Sequence, residues 1–158
     1  MANSSSGSAV FIGGAKIKIT MSTILAIDYG TKYLGLALGL SGGVNSPLKA
    51  VSYHATQEAV ELLRETCNQY EVNQIILGLP LRNDREETQA RQVKIFGKLL
   101  EDKLGLPIDY VDETLTSADA VKTTVALGIP RGKRRGKQHM FAAVSLLRRY
   151  RVKLEFIP

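Results

Sequence analysis

Two acidic positions stand where apolar runs end. Thr23–Asp28 (TILAID) is a short apolar stretch closed by Asp28, and Asp112-Glu113 close the stretch that begins at Pro107 (PIDYV). A carboxylate at the buried end of a strand is costly unless it pairs or meets a cation. For Asp28 two readings stand side by side: a metal ligand, or a carboxylate satisfied by the turn amides of Gly30 and Thr31. Asp112-Glu113 fall at the C-terminal end of a strand, the edge of an open α/β sheet where ligands collect. If the two strands lie near each other, Asp28 and Glu113 converge, and two carboxylates at one sheet edge suit the hard cations Mg²⁺ or Mn²⁺. His139, at the start of the last helical pattern, has three readings. It could ligate a second metal through a neutral imidazole, it could position or deprotonate an attacking water, or it could open the helix with no chemical role. Capping accounts for Asp119, and Asp109 is expected to face outward or make a structural pair.

The elements that must position these groups are legible from periodicity. Thr23–Asp28, Leu34–Leu38 and Ser46–Ser52 read as three consecutive strands with short connections, an antiparallel meander. Thr56 is expected to cap a helix with the stripe Val60, Leu63, Cys67 and Tyr70, which makes Cys67 a packing residue. Gln74–Leu79 reads as a buried strand closed by Pro80. Asp84 to Lys103 reads as a charged helix with Val93, Phe96, Leu100 and Leu104 on one face and Gly105 after it. Pro107–Val111 is the fifth strand. A helix from Thr116 to about Leu127 is expected to open with a capping box completed by Asp119. A loop then spans Gly128 to Lys137, and a final helix runs from His139 to Tyr150 with Met140, Ala143, Val144 and Leu147 inward. The fold class is α/β: a mixed five-stranded sheet, an antiparallel three-strand meander followed by parallel strands, with helices on both faces.

The chain has 158 residues, Lys+Arg 21 against Asp+Glu 15 and a formal charge of +6. That length supports one domain at 21–158 and excludes a large two-domain enzyme. Residues 1–20, rich in Ser and Gly and lacking acids, read as a flexible leader or a vector-derived remnant ahead of Met21. A single cysteine and no Cys/His cluster suggest a reducing, cytoplasmic setting, and no stretch is apolar for long enough to span a bilayer. The excess charge is concentrated: from Arg131 onward there are nine basic residues and one acid, Glu155, whereas the preceding 130 residues carry 12 basic and 14 acidic groups. A near-neutral body with one basic end suggests a polyanionic partner.

Four blocks in order carry a specific resemblance. Asp28-Tyr29-Gly30-Thr31-Lys32 with Gly35 and Ala37, Leu77-Gly78-Leu79-Pro80-Leu81, Asp112-Glu113-Thr114-Leu115-Thr116-Ser117, and Ala142-Ala143 together resemble the YqgF family over nearly everything after Met21. The resemblance implies an RNase H-like fold and a metal-dependent nuclease of structured nucleic acid. The expected role is maturation of the small-subunit (16S) rRNA precursor, or resolution of four-way DNA junctions. It assigns catalytic and metal-binding roles to Asp28 and Glu113. The family's third acidic position, three residues before the Ala-Ala pair, is His139 here. The family's Arg positions are Thr114 and Tyr33. Lys32 and the segment Arg131, Lys133, Arg134, Arg135 and Lys137 are expected to hold the substrate backbone through its phosphates. The expected cofactor is Mg²⁺ or Mn²⁺, and the expected partner an RNA precursor or branched DNA. A resolvase, which cuts two symmetry-related strands, is expected to be a homodimer. A nucleic-acid or ribosome-precursor binding factor with little activity is the alternative. Asp28-Tyr29-Gly30-Thr31 also resembles the phosphate-binding turn of actin- and sugar-kinase-like ATPases, which bind nucleotide between two such domains.

Overall fold

The computed structural model describes residues 8–19, 22–41, 43–80, 84–113 and 122–155. Five strands form one sheet: β3 (Thr23–Tyr29), β4 (Tyr33–Leu40), β5 (Asn45–Ser52), β6 (Gln74–Leu79) and β7 (Ile108–Asp112), in the order β5-β4-β3-β6-β7. The meander β3-β4-β5 is antiparallel, and β6 and β7 join β3 in parallel, as the sequence pattern implies. The register of β4 against β5 shifts between Leu36 and Ala37, and Pro47 sits in the edge strand, where its missing N–H costs least.

Side-chain alternation sorts the two faces by size. Leu25 and Ile27 of β3, Leu34 and Leu36 of β4, and Ile75, Leu77 and Leu79 of β6 face α1 (Thr56–Gln69) and α2 (Asp84–Leu104) and build the larger core. The opposite face carries Ala26, Ala37, Ile76 and Val111, which pack on Ala143, Val144, Leu146, Leu147 and Tyr150 of α3 (Arg134–Glu155). Helices therefore cover both faces. Small residues on the α3 side let that helix lie unusually close: a Cβ at Gly39 would meet Leu147, and one at Gly78 would meet Leu146. Asp28, two residues after Ala26, has the parity of the α3 face.

Three polar ties fix α3 lengthwise. Gln74 Nε2 donates to Asp109 Oδ2 (2.8 Å) and to the Tyr150 hydroxyl (2.7 Å), and that hydroxyl donates to Asp109 Oδ2 (2.9 Å). Asp109 is thus a structural partner, one of its two expected roles. Arg151 donates from Nε to Asn45 Oδ1 (2.8 Å) and from a terminal nitrogen to the Leu40 carbonyl (2.6 Å). Arg149 donates to the Asp112 carbonyl (2.8 Å), next to Glu113.

Several local expectations are corrected. Within the segment read as a flexible leader, β1 (Ser8–Ile12) and β2 (Ala15–Ile19) pair as an antiparallel hairpin in a sheet of their own. Gly13 and Gly14 have φ of 58° and 81°, the positive pair a two-residue hairpin turn requires. The N-cap of α1 is Ala55, not Thr56, and makes no side-chain cap bond; Glu58 instead accepts the His54 amide at 2.8 Å. Val60, Leu63 and Cys67 are buried as expected, with Tyr70 packed beside them. Residues 122–126 are helical, but the expected start at Thr116, with its cap at Asp119, lies outside the described residues. The expected loop at 128–137 is replaced over its second half: a 3₁₀ turn spans Arg131–Lys133 and α3 begins at Arg134. Among the described residues no helix is long and apolar enough to cross a membrane.

Candidate active site

The three residues singled out for chemistry line one cleft of about 420 Å³. Asp28 comes from the end of β3, Glu113 from just beyond β7, and His139 from the first turns of α3. The topology explains the convergence of the carboxylates. β3 and β7 both flank β6 in parallel with it, so their C-terminal ends share one edge of the sheet. Tyr29, Gly30, Thr31, Lys32 and Tyr33 form the near wall, and Gln89, Gln92 and Val93 of α2 the far one.

Asp28 is paired with an imidazole. His139 Nδ1 lies 2.6 Å from Asp28 Oδ2, with side-chain exposures of 30% for the histidine and 13% for the aspartate. An ionised carboxylate only accepts, so Nδ1 is the donor in this contact and Nε2 is the ring nitrogen outside it. Glycines make room for this pair. Gly35 pairs with Asp28 across the β3-β4 ladder, and a Cβ there would overlap the backbone of His139 and Met140. A Cβ on Gly30 would lie 2.7 Å from the His139 ring. The amide of Gly30 donates to the Tyr33 carbonyl at 2.9 Å, so that amide does not satisfy Asp28. Tyr33 and His139, both departures from the pattern of the resembled family, face each other with ring centroids 6.2 Å apart and planes 22° from parallel.

The turn after Asp28 is held from behind. The Tyr53 hydroxyl donates to the Gly30 carbonyl, and burial, reinforced by the neighbouring Tyr29, pushes the Tyr53 phenol well above its ordinary value, so it stays a donor. Tyr29 stacks on Phe96 of α2 with centroids 4.3 Å apart. Glu113 is placed similarly: its amide donates to the Leu79 carbonyl (3.2 Å), and its carboxylate occupies the space a side chain on Gly78 would need. Tyr53 and Arg149 escaped the sequence reading, because nothing in the sequence relates Tyr53 to Gly30 or Arg149 to Asp112. Gln89 and Gln92 did leave a signal, since their i, i+3 spacing puts them on one helical face.

Of the expected phosphate-binding residues whose side chains are described, only Lys32 lines the cleft. Arg131, Lys133 and Lys137 are exposed around the start of α3. Arg134 donates from Nε to the Ile129 carbonyl (2.7 Å), and with Arg149 and Arg151 it shows that part of the basic end has structural partners. Arg135 falls in the first turn of α3. Three guanidinium groups of the basic end thus supply hydrogen bonds that fix α3 and its approach.

Among the described residues no three of His, Cys, Asp and Glu cluster tightly enough to enclose a metal ion, and His139 Nδ1 is engaged by Asp28. The two carboxylates, of Asp28 and Glu113, stand at one sheet edge. That set fits Mg²⁺, which takes one or two carboxylates and leaves its other positions to water and substrate phosphate.

The model of the RuvX family, described as a Holliday junction resolvase, matches residues 22–151. The chain belongs to the RuvX (YqgF) family. All three cleft residues fall inside the match. Relatives carrying the name "Putative pre-16S rRNA nuclease" include a Heliobacterium modesticaldum protein, 36% identical over 129 residues that cover 80% of this chain and 87% of the relative. One from Dictyoglomus thermophilum is 31% identical (80% and 93% covered), and one from Porphyromonas gingivalis 36% identical (82% and 96%). Among solved structures, Thermus thermophilus RuvC in complex with a Holliday junction substrate superposes with a TM-score of 0.51 at 12% identity, covering 85% of this chain and 95% of RuvC. The chain thus has the RuvC-like, RNase H-like fold expected from its sequence.

Proposed function

We propose that this protein is a metal-dependent nuclease that hydrolyses phosphodiester bonds of structured nucleic acid in maturation of the small-subunit rRNA precursor. The observation that carries this reading is the convergence of Asp28, Glu113 and His139 in one cleft of a RuvX-family chain. Its relatives' names favour the RNA precursor over the four-way junction as substrate.

Asp28 and Glu113 would hold a divalent ion, Mg²⁺ or Mn²⁺, which when bound activates water and stabilises the leaving oxygen. Asp28 also orients His139 by accepting from Nδ1, which directs Nε2 to act as the base that takes the proton of the attacking water. This geometry favours the water-positioning reading of His139 over ligation through Nδ1. Lys32 meets the phosphate in the cleft, and Arg131, Lys133 and Lys137 engage the flanking backbone. These are contacts that position without reading sequence.

The test is cleavage of single-stranded RNA, rRNA precursor and four-way DNA in Mg²⁺ and in Mn²⁺, with Asp28→Asn alongside. Cleavage by the parent and its loss in the variant are expected. Unchanged cleavage in Asp28→Asn, or none by the parent on any substrate, refutes the reading. Preferential cutting of junctions by a dimer identifies a resolvase instead. His139→Asp separates the roles of the histidine: a fall in rate is expected if it works as a base, and a large gain would mark the natural protein as a weakly active binding factor.

A further inference from the structure

The far wall of the cleft is chemically unlike the rest of its helix. Glu87, Arg91, Lys94, Lys98, Glu101 and Asp102 of α2 are all exposed and charged, yet the exposed positions over the cleft are the amides Gln89 and Gln92, flanking the buried Val93. A third amide, Gln138, enters from α3 beside His139. Three primary amides from two elements thus rim a cleft whose floor carries Asp28 and Glu113. Lys32 already supplies a cation to this cleft; on the amide rim a further Arg or Lys could pair with the carboxylates, and Asp or Glu would repel a phosphodiester. A primary amide does neither, and it both donates and accepts.

That dual character matches one group on a nucleic-acid strand, the ribose 2′-hydroxyl, which is also donor and acceptor and is what distinguishes RNA from DNA at a given site. The volume of about 420 Å³ belongs to the size class of a drug-sized ligand, room for one or two nucleotides of a strand. We propose that Gln89, Gln92 and Gln138 are the strand-recognition contacts of this cleft: they hydrogen-bond the sugar edge of a single RNA strand while its phosphodiester faces Asp28 and Glu113. The proposal rests on the nuclease reading and deepens it, because it makes the cleft selective for ribose by neutral contacts and leaves affinity to Lys32 and the start of α3.

The experiment measures binding without cleavage, in an Asp28→Asn background, to three single-stranded oligonucleotides of one sequence: RNA, DNA and 2′-O-methyl RNA. The unvaried amide rim is expected to bind RNA most tightly. Adding Gln89→Leu or Gln92→Leu should weaken RNA binding about five-fold each, the loss of one net hydrogen bond, and leave DNA binding unchanged. Gln138→Leu is read the same way, with its melting temperature as a control because this side chain is half-buried. The log-affinity against log-salt slope should stay constant in the glutamine variants, whereas Lys32→Ala should reduce it by roughly one. An equal loss on RNA and DNA would overturn the proposal, since the amides would then contact phosphate or base, and so would no loss on either. Failure of the nuclease reading shows separately, as absence of cleavage by the parent protein with this binding pattern intact.

Discussion

Replacing Gly35 by alanine tests how the Asp28–His139 pair is built. Gly35 lies opposite Asp28 in the β3-β4 ladder, and its missing Cβ is the space into which α3 presses its own backbone at His139 and Met140. An added methyl meets main chain, not the end of a movable side chain, so no rotamer change relieves it. To restore an ordinary carbon contact of about 3.5 Å, the start of α3 must retreat by roughly 1.5 Å. The Nδ1···Oδ2 separation, now 2.6 Å, then leaves hydrogen-bonding range. Overpacking of this kind costs about 1–3 kcal/mol, and the backbone clash places Gly35→Ala at the upper end. For a chain of this size that lowers the melting temperature by roughly 6–12 °C. Misplacing a catalytic group by about 1 Å costs on the order of 100-fold in rate, so kcat should fall at least that far where the variant remains folded. Urea unfolding and single-turnover cleavage of the precursor RNA measure the two effects. Gly132→Ala is the control: a Cβ there meets nothing within 4 Å, and a change within about 0.5 kcal/mol is expected. A Gly35→Ala protein with parental stability and rate would refute the close-approach argument.

Two further expectations concern stability. Burial pushes the Cys67 thiol up to about 11 from 9.0. Below about pH 9 the thiol is protonated in both states; between about 9 and about 11 the unfolded chain loses its proton while the folded one keeps it, so stability falls by about 3 kcal/mol across that window. Urea titrations of the parent and Cys67→Ala should differ by this slope, and parallel curves would remove the assignment. Glu71 follows the Tyr70 cap of α1 with φ of 51°, and the Val72 amide closes back on the Cys67 carbonyl at 2.9 Å, the geometry of a C-terminal glycine motif. Glu71→Gly should therefore stabilise by about 1 kcal/mol, read as a higher urea midpoint at unchanged m-value; no gain would mean that the left-handed backbone is unstrained.

Local patterning was enough for the five strands of the main sheet, the three long helices and the carboxylates at the strand ends. Apolar runs of strand length and helical stripes are local signals, and Asp28 and Glu113 were legible because each is a carboxylate closing such a run. Their shared edge required only the parallel order of β3, β6 and β7, which the βα alternation implies. The hairpin at 8–19 was missed because its Ser/Gly composition outweighed the alternation of Val10 with Ile12 and Ile17 with Ile19. Charge count likewise says nothing about partners: Arg134, Arg149 and Arg151 find theirs at carbonyls and an amide brought near only by folding. The pairing of Asp28 with an imidazole, by contrast, was settled by packing. Whether a strand-end carboxylate meets an imidazole depends on which helix crosses it and how closely. Here the answer comes from glycines and alanines spread over three strands, whose small size lets α3 lie down until His139 reaches a residue 111 positions away.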